Sequence, residues 1–212
     1  MALFQKKPVV GTSAPLYTLG LQKTVLLVGL GNVGKEYAGT RHNIGFEILD
    51  VFASKQGLDN WMDKKDLKCQ LATGNIADSR VILCKPTTMM NLSGEAVQAV
   101  ARFYKVEPAA MVVVHDELDI GFGQIRTRLG GSDAGHNGVK SLIQHLGADF
   151  GRIRIGVGPK TPEKMESADF VLAKFSDKEQ AQLKNLTQEA IAILTEYVHS
   201  AQLPAETRTF LV

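Results

Sequence analysis

The sequence predicts an α/β fold: a single domain with a mixed, twisted β-sheet flanked by helices on both faces. Strand-like apolar runs such as Val25–Val28 and Met111–Val114 alternate along the chain with segments whose apolar residues recur at helical spacing. The composition, 44% apolar and 22% charged residues in 212, is that of an ordinary globular protein. No internal repeat or low-complexity linker divides the chain, so one domain from Lys23 to Val212 is expected.

The first half of the chain is predicted to hold a strand, a helix and a hairpin. The first strand leads into a glycine-rich turn, Gly29–Gly34, and then into a helix. A hairpin follows, with one strand around Cys69, the other at Val81–Cys84 and turn chemistry at Gly74-Asn75. The helix carries four apolar residues on one face, Ile44, Ile48, Val51 and Phe52.

The second half alternates in the same way. Strands are predicted at Met111–Val114, Gln124–Leu129 and Ile153–Val157. In the second of these, Arg126 and Arg128 share one face because side chains alternate along a strand. Apolar stripes at helical spacing predict three more helices, near Val97–Tyr104, Val139–Leu146 and Leu183–Tyr197.

Polar residues follow three of the predicted strands, namely Asn32, Asn91 and Asp116. Ligands in open α/β sheets bind beyond the carboxyl ends of the strands. We therefore expect these three side chains to mark one site at that edge of the sheet.

Charge and cysteine content narrow the function classes. The net charge is only +2, but residues 120–160 carry six cations and two anions, which predicts either a local anion-binding face or a solvated surface. Cys69 and Cys84 lie in apolar runs, so two buried thiols in a reducing cytosol are expected rather than a disulfide or a zinc site. No apolar run approaches the roughly 18–20 residues of a membrane span, so we expect a cytoplasmic protein without membrane contact.

Residues 1–22 differ in character from the rest of the chain. They hold no acidic residue, two lysines, two prolines and scattered serine and threonine. They also lack arginine, which makes them a poor transit peptide. We expect an N-terminal extension without a catalytic role; a disordered arm, a targeting segment and a remnant of cloning all stay open.

The turn Gly29–Gly34 reads G-x-G-x-x-G after a strand, which is also the fingerprint of dinucleotide binding. That fingerprint requires an acidic residue at the end of a second parallel strand, about 20 residues later. Here the acid near that spacing, Asp50, lies within the helical pattern, and a hairpin follows it. The turn therefore indicates close approach of backbone or substrate at its glycines, and a nicotinamide-dependent dehydrogenase is kept only as an alternative.

Two segments contain residue types suited to catalysis. His42 begins the first helix, where the helix dipole favours the neutral imidazole that a general base needs; a surface or capping histidine is the alternative. Asn91, within Lys85–Gly94, has an amide that both donates and accepts, which suits binding of a substrate main chain. Capping of the following helix by Asn91 or Ser93 is the alternative there.

Two further segments add a carboxylate and a loop. In Val114–Asp119, His115 and Asp116 point to opposite faces of a strand, and no other His or Cys stands at ligand spacing, which disfavours a metal. A lone carboxylate at a strand end suits the orientation of a histidine on another element. Gly130–Gly138 is a glycine-rich loop that opens a helix, and lid closure, phosphate binding and a plain surface turn are its three interpretations.

Together these segments resemble the bacterial-type peptidyl-tRNA hydrolase family. The resemblance covers the chain from about Lys23 to its end, with five motifs in the family's order and spacing. They are GLGNVGKEYAGTRHNIG at Gly29–Gly45, KPTTMMNLSG at Lys85–Gly94, HDELDI at His115–Ile120, GGSDAGHNG at Gly130–Gly138 and RIRIGVG at Arg152–Gly158. Five motifs in register are far more specific than any one of them.

The resemblance implies an esterase that cuts the bond between a peptide and the 3′ end of a tRNA, with no metal and no cofactor. It implies that His42 is the catalytic base, that Asp116 orients and polarises it, and that Asn32 helps to position substrate and water. Four substrate-binding residues are implied, Tyr37, Met90, Asn91 and Asn137. Three tRNA contacts are implied, Arg126, Arg128 and Arg154.

The implied partner is peptidyl-tRNA, bound through its acceptor stem, its 3′ CCA end and its peptide. No stripe typical of an oligomer interface is visible in the sequence, so a monomer without an obligate protein partner is expected. A second hypothesis is that the chain binds RNA after losing catalysis, as in relatives that work in RNA splicing. The presence of His42, Asp116 and the three asparagines argues against that loss.

Overall fold

The computed structural model of the protein describes residues 23–160 and 162–209, which form one mixed β-sheet of eight strands. The predicted N-terminal extension, residues 1–22, lies outside the described residues. In chain order the strands are β1 Lys23–Gly29, β2 Met62–Lys64, β3 Cys69–Ile76, β4 Ser79–Pro86, β5 Met111–Gly121, β6 Gln124–Leu129, β7 Gly151–Gly158 and β8 Thr207–Thr209. Their order across the sheet is β2-β3-β4-β1-β5-β7-β6-β8.

Parallel pairing joins the four central strands, β4, β1, β5 and β7. Antiparallel pairs complete both sides of the sheet, with β2 and β3 beside β4 and with β6 and β8 beside β7. The residues from Val25 to Val28 in β1 are all fully buried. A continuous apolar run of this kind is expected where both faces of a parallel strand are covered.

Helices cover both faces of the sheet, which confirms the predicted fold class. They are α1 Ile44–Lys55, α2 Ser93–Tyr104, α3 Asn137–Leu146, α4 Ser167–Leu172 and α5 Asp177–Ser200. One apolar core lies between the sheet and α1, α4 and α5, and a second lies between the sheet and α2 and α3. Within the described ranges, no helix is long and apolar enough to cross a membrane.

Two local predictions were wrong in the first half of the chain. The hairpin turn falls at Ala77-Asp78, because Gly74 and Asn75 still pair with Val81 and Arg80 in the ladder. Val51 is 37% exposed. The buried stripe of α1 instead runs through Ile44, Ile48, Leu49 and Phe52.

A third prediction was wrong in the strand that carries Asp116. We expected Asp116 to follow a strand, but β5 continues to Gly121 because β7 pairs along it beyond this point. The neighbouring strand β1 ends at Gly29, which is paired with Val114. Asp116 therefore still lies beyond the carboxyl end of β1, although it is inside its own strand. The short elements β2, β8 and α4 were not predicted.

Glycines let α1 begin in direct contact with the sheet. A Cβ atom on Gly45 would lie 2.4 Å from the carbonyl oxygen of Val114 and 2.6 Å from the amide nitrogen of Leu30. A Cβ atom on Gly29 would lie 2.4 Å from the Gly45 carbonyl oxygen. This close approach fixes the start of α1, and with it the preceding turn that carries His42.

The space beside the next glycine of the same turn is also occupied by a side chain of the protein. A Cβ atom on Gly31 would lie 2.7 Å from the ring of Phe46, on α1. The first two glycines of this G-x-G-x-x-G sequence, Gly29 and Gly31, therefore serve helix–sheet packing. After α1 the chain enters the antiparallel pair β2–β3 and not a second parallel strand, which removes the context that a dinucleotide site requires.

We expect Gly45→Ala to lower the free energy of unfolding by at least roughly 1–3 kcal/mol, because its methyl group would overlap main-chain atoms that cannot move aside. Gly121→Ala is the matched control, since a Cβ atom there meets nothing within 4 Å. Urea denaturation of both variants measures the difference. Equal stability of the two variants would contradict the packing described for α1.

Candidate active site

A cleft of about 1230 Å³ opens at the carboxyl ends of the central strands. Its lining includes six of the seven residues predicted for catalysis and substrate binding, Asn32, His42, Met90, Asn91, Asp116 and Asn137. The seventh, Tyr37, lies half-buried on the 3₁₀ turn Lys35–Tyr37 and is not one of the cleft-lining residues, so its role stays a prediction. The structure thus brings side chains from distant parts of the sequence to one surface.

Two histidines converge on the carboxylate of Asp116 at the floor of the cleft. The Nδ1 atom of His42 lies 2.9 Å from Oδ1 and 3.1 Å from Oδ2 of Asp116. The Nε2 atom of His136 lies 3.0 Å from the same Oδ1. All three side chains are nearly enclosed, at 11%, 3% and 6% exposure for His42, Asp116 and His136. The pair His42–Asp116 was predicted, whereas His136 was not assigned a role.

The start of α3 fixes which nitrogen of His136 carries the proton. His136 is the N-cap of α3, and its Nδ1 accepts hydrogen bonds from the backbone N–H groups of Gly138 and Val139, at 3.1 and 3.3 Å. A ring nitrogen that accepts from N–H cannot itself carry a hydrogen. The ring proton therefore lies on Nε2, from which it is donated to Asp116.

Because Asp116 is an acceptor for both rings, it also sets the orientation of His42. Nδ1–H of His42 donates to the carboxylate, which leaves the lone pair of Nε2 on the opposite side of the ring. Burial acts to raise the pKa of Asp116, but the interactions with His136 and His42 outweigh it and hold this pKa well below its ordinary value. Asp116 is thus an ionised carboxylate at neutral pH.

A third histidine, His115, contacts both Asp116 and His136. His115 is 1% exposed, and its Nδ1–H donates to the main-chain oxygen of Asp116 over 2.7 Å. Its ring meets that of His136 edge to face, with ring centroids 4.8 Å apart. Burial, with a smaller contribution from His136, lowers the pKa of His115 to about 3, so this ring is uncharged at neutral pH.

The convergence of two histidines and one carboxylate raises the question of a metal ion. The potential ligand atoms of His42, Asp116 and His136 lie within 4.8 Å of one another, which spacing along the sequence did not reveal. A metal on Nε2 of His136 would require the ring proton on Nδ1, where it would face two backbone N–H donors. Metal-bound histidines normally donate their other N–H to an acceptor. The donor set of His136 therefore does not fit a resident metal.

Asn32 is held rigidly beside the two histidines. Its backbone N–H donates to Oδ1 of Asn43 over 2.8 Å, and its carbonyl accepts from Nδ2 of Asn43 over 2.9 Å. Its side-chain Oδ1 accepts from the backbone N–H of Met90 over 2.8 Å. Since Oδ1 is engaged, the Nδ2 group is the part of this amide that can donate to a bound molecule.

Asn91 and Asn137 line the same cleft as exposed side chains. Asn91 lies on the 3₁₀ turn Met90–Leu92 that precedes α2, and Asn137 is the first residue of α3. The capping alternative for Asn91 and Ser93 finds no support, because the N-cap of α2 is Leu92 and no side chain caps it. Both amides are thus available to a bound molecule.

A buried arginine anchors the turn that carries His42. Arg41 is 6% exposed, and its guanidinium donates to the carbonyls of Phe170, Ala173 and Lys174 at the C-terminal end of α4. It also pairs with Glu179 over 2.7 Å. Because α4 forms one wall of the cleft, Arg41 fixes His42 relative to that wall.

Four arginines form a cluster on the pair β6–β7, with Arg126 opposite Arg154 and Arg128 opposite Arg152. The three predicted tRNA contacts line a second cavity of about 620 Å³. Burial, together with Arg128 and Arg154, lowers the pKa of Arg152 to about 10, and burial with the neighbouring arginines also lowers the pKa of Arg154. The crowding of like charge favours an anion on this surface.

Several residues that shape the site were missed by sequence reasoning. His136 lies inside the loop Gly130–Gly138, which was identified as a segment but not residue by residue. Asn43 and Arg41 flank His42 in the sequence and had no independent signal. Glu117 also lines the cleft, and burial raises the pKa of its carboxyl. The contact of its Nε2 with Asp116, which appears only in the folded chain, identifies His136 as part of the site.

The pKa of His115 predicts a pH-dependent stability. Because this pKa is about 3 in the folded chain and about 6.5 in an unfolded one, the contribution is complete above pH 6.5 and is lost as pH falls toward 3. Between pH 7 and pH 5 it amounts to roughly 2 kcal/mol of unfolding free energy. Urea denaturation of the wild type and of His115→Asn should show a smaller loss in the variant. Parallel pH profiles for the two proteins would contradict this assignment.

Comparison with known proteins gives matches to one family. The model of the family described as peptidyl-tRNA hydrolase matches residues 26–210. The peptidyl-tRNA hydrolase of Mycobacterium marinum is 40% identical over 189 residues, 89% of this chain and 98% of that protein. The chloroplastic enzyme of Arabidopsis thaliana is 45% identical over 179 residues, 82% of this chain and 61% of that protein.

Comparison with solved structures gives a match to the same family. The crystal structure of peptidyl-tRNA hydrolase from Acinetobacter baumannii aligns with a TM-score of 0.75 at 38% sequence identity, covering 84% of this chain and 88% of that one. The sequence match and the structural match therefore both cover most of the described residues. The chain belongs to the peptidyl-tRNA hydrolase family, which is the family that its five motifs resemble.

Proposed function

We propose that the chain hydrolyses the ester bond between a peptide, or an N-blocked amino acid, and the 3′-terminal ribose of tRNA, which returns the tRNA to translation. The observation that carries this proposal is the hydrogen-bonded pair His42–Asp116 in a cleft bordered by three asparagine amides. Family membership supports the same reaction.

His42 acts as the general base in this mechanism. Its Nε2 takes a proton from a water molecule while the water oxygen attacks the ester carbonyl carbon. Asp116 accepts from Nδ1–H and stabilises the positive charge that His42 gains. When the tetrahedral intermediate collapses, the ester C–O bond breaks and the proton passes from His42 to the ribose oxygen. The products are a peptide acid and a tRNA with a free hydroxyl group.

Amide groups supply the remaining stabilisation. The Nδ2 group of Asn32, whose backbone and Oδ1 are held by Asn43 and Met90, donates to the oxyanion or to the attacking water. Asn91 and Asn137 bind the peptide main chain. Neutral amides recognise main-chain groups and leave the side chains of the peptide free, which suits a substrate of any sequence.

Three arginines of the cluster bind the tRNA phosphates. Arg126, Arg128 and Arg154 line the second cavity, away from the amides of the cleft. Guanidinium groups bind phosphate oxygens in a bidentate manner. Arginine contacts with the backbone position a nucleic acid without reading its sequence, which suits an enzyme that accepts many tRNAs.

The cellular setting stays a prediction. We infer a monomeric enzyme of the cytoplasm from the sequence, while the relative from Arabidopsis thaliana is named as chloroplastic. Residues 1–22, for which a targeting segment is one of the interpretations, lie outside the described residues.

We expect His42→Ala to lower the turnover of N-acetyl-aminoacyl-tRNA by roughly 10²–10⁴-fold, because no base activates the water. Asp116→Asn should cause a large loss as well, since an amide cannot accept from both histidines without offering its own N–H groups. Binding of uncharged tRNA should persist in both variants. Release of labelled N-acetyl-amino acid measures turnover.

The controls for this experiment are His199→Ala and a chelator. His199 is exposed on α5, outside the cleft, so its removal should leave turnover unchanged. EDTA should also have no effect on the wild type. Equal release by the wild type and His42→Ala would refute the base assignment, and loss of activity in EDTA would refute the metal-free mechanism.

Removal of Arg126, Arg128 or Arg154 should raise KM for peptidyl-tRNA and reduce the salt dependence of binding. Each lost phosphate contact should lower the slope of log Kd against log salt by about 1. Arg102→Ala is the matched control, because Arg102 is exposed on α2, away from the cluster. Titration of labelled tRNA at several salt concentrations measures the slope. An unchanged slope in all three variants would place the tRNA elsewhere.

A further inference from the structure

Arg152 differs from the other three arginines of the cluster because it is buried, with only 2% of its surface exposed. Both terminal nitrogens of its guanidinium are engaged, Nη1 with the carbonyl oxygen of Ser132 and Nη2 with that of Gly131. The guanidinium also lies over the ring of Phe150, 4.9 Å from its centroid. A guanidinium that is buried in this way and bound to two main-chain carbonyls is not accessible to a phosphate.

The carbonyls that Arg152 holds belong to the loop that ends at His136. Within this loop, Asp133 accepts from the backbone N–H of Gly135 through Oδ1 and from that of His136 through its carbonyl, at 2.8 and 2.9 Å. His136 then donates to Asp116, and Asp116 accepts from His42. The main chain from Gly131 to Asp133 and the hydrogen bonds beyond it therefore connect Arg152 to the catalytic base.

Arg128 also contacts this loop. A Cβ atom on Gly131 would lie 2.3 Å from the guanidinium carbon of Arg128, so this side chain packs directly on the main chain of the loop. Gly131 has a φ of 99°, a conformation that favours glycine. The loop thus contacts one arginine that lines the second cavity and one that is buried.

We propose that Arg152 is a positioning residue for ester hydrolysis, which holds the loop Gly131–His136 so that His136 and Asn137 reach the cleft. This proposal rests on the proposed function, and it gives Arg152 a role distinct from that of its neighbour Arg154. Arg154 is half-buried and lines the cavity assigned to tRNA phosphates. Arg152 acts through the loop and touches neither the tRNA nor the reacting atoms.

The loop needs such a support because it lies outside the regular secondary structure. Residues 130–136 lie between β6 and α3 and belong to neither element. Misplacement of a catalytic group by about 1 Å can cost about 10²-fold in rate. Removal of Arg152 leaves two main-chain carbonyls without their donors and frees the segment that sets His136.

The test compares Arg152→Met with Arg154→Met on two substrates. One substrate is N-acetyl-aminoacyl-tRNA, and the other is the same N-acetyl-aminoacyl ester on the trinucleotide CCA, which lacks the acceptor stem. For Arg152→Met we expect kcat to fall about 10²-fold on both substrates, with KM nearly unchanged. For Arg154→Met we expect a larger loss on the tRNA than on the CCA ester, through KM.

Two further measurements separate positioning from a general loss of stability. Added guanidinium ion should restore part of the turnover of Arg152→Met at concentrations that leave the wild type unaffected, since it can refill the site beside Phe150. If the Met variant does not fold by circular dichroism, Arg152→Lys takes its place. It keeps the charge but offers a single ammonium group to the two carbonyls, so an intermediate kcat is expected.

The outcomes decide the proposal. A loss confined to the tRNA substrate would make Arg152 a phosphate contact and overturn it. Full activity of both Arg152 variants on both substrates would overturn it as well. If the wild type cleaves neither substrate, it is the proposed function that fails, and this result is distinct from a failure of the Arg152 variants alone.

Discussion

The carboxylate of Asp116 is the constraint on which the rest of the site depends. It is buried, and one of its oxygens accepts from His42 on one side and from His136 on the other. His42 precedes α1, which packs on one face of the sheet, while His136 caps α3 on the other face. An unpaired buried carboxylate would lower the stability of the fold strongly, so the helices of both layers must supply partners to it. The same requirement places the lone pair of His42 toward the cleft.

Both histidines come from irregular segments, and each segment is held by a buried arginine that donates to main-chain carbonyls. Arg41 fixes the turn of His42 against the end of α4, and Arg152 binds the loop before His136. Carbonyls outside helices and strands need donors when they are buried, and one guanidinium satisfies several at once. These two arginines therefore contribute to the order of the site through their N–H donors.

Much of the fold follows from periodicity, because the buried runs of β1, β4 and β5 and the stripes of α2, α3 and α5 are long enough to be unambiguous. Short elements such as β2, β8 and α4 depend on tertiary pairing and have no such pattern. The extent of β5 past Asp116 reflects pairing with β7, which no local sequence specifies. His42 and Asp116 could be assigned through motifs, but their partner His136 required the path of the loop in space. The exposure of Val51 has a similar cause, because the apolar stripe of α1 is wider than the surface that the neighbouring elements cover.

The separation of neutral amides from cationic arginines explains how one site can handle a substrate with two unlike halves. A peptide of any sequence is best bound through its main chain, and asparagine amides do this without charge. A tRNA of any sequence is best bound through its phosphates, and arginines do this without contacts to the bases. The loop Gly131–His136 lies where the two surfaces meet, and Arg152 holds it there without contacting either half of the substrate.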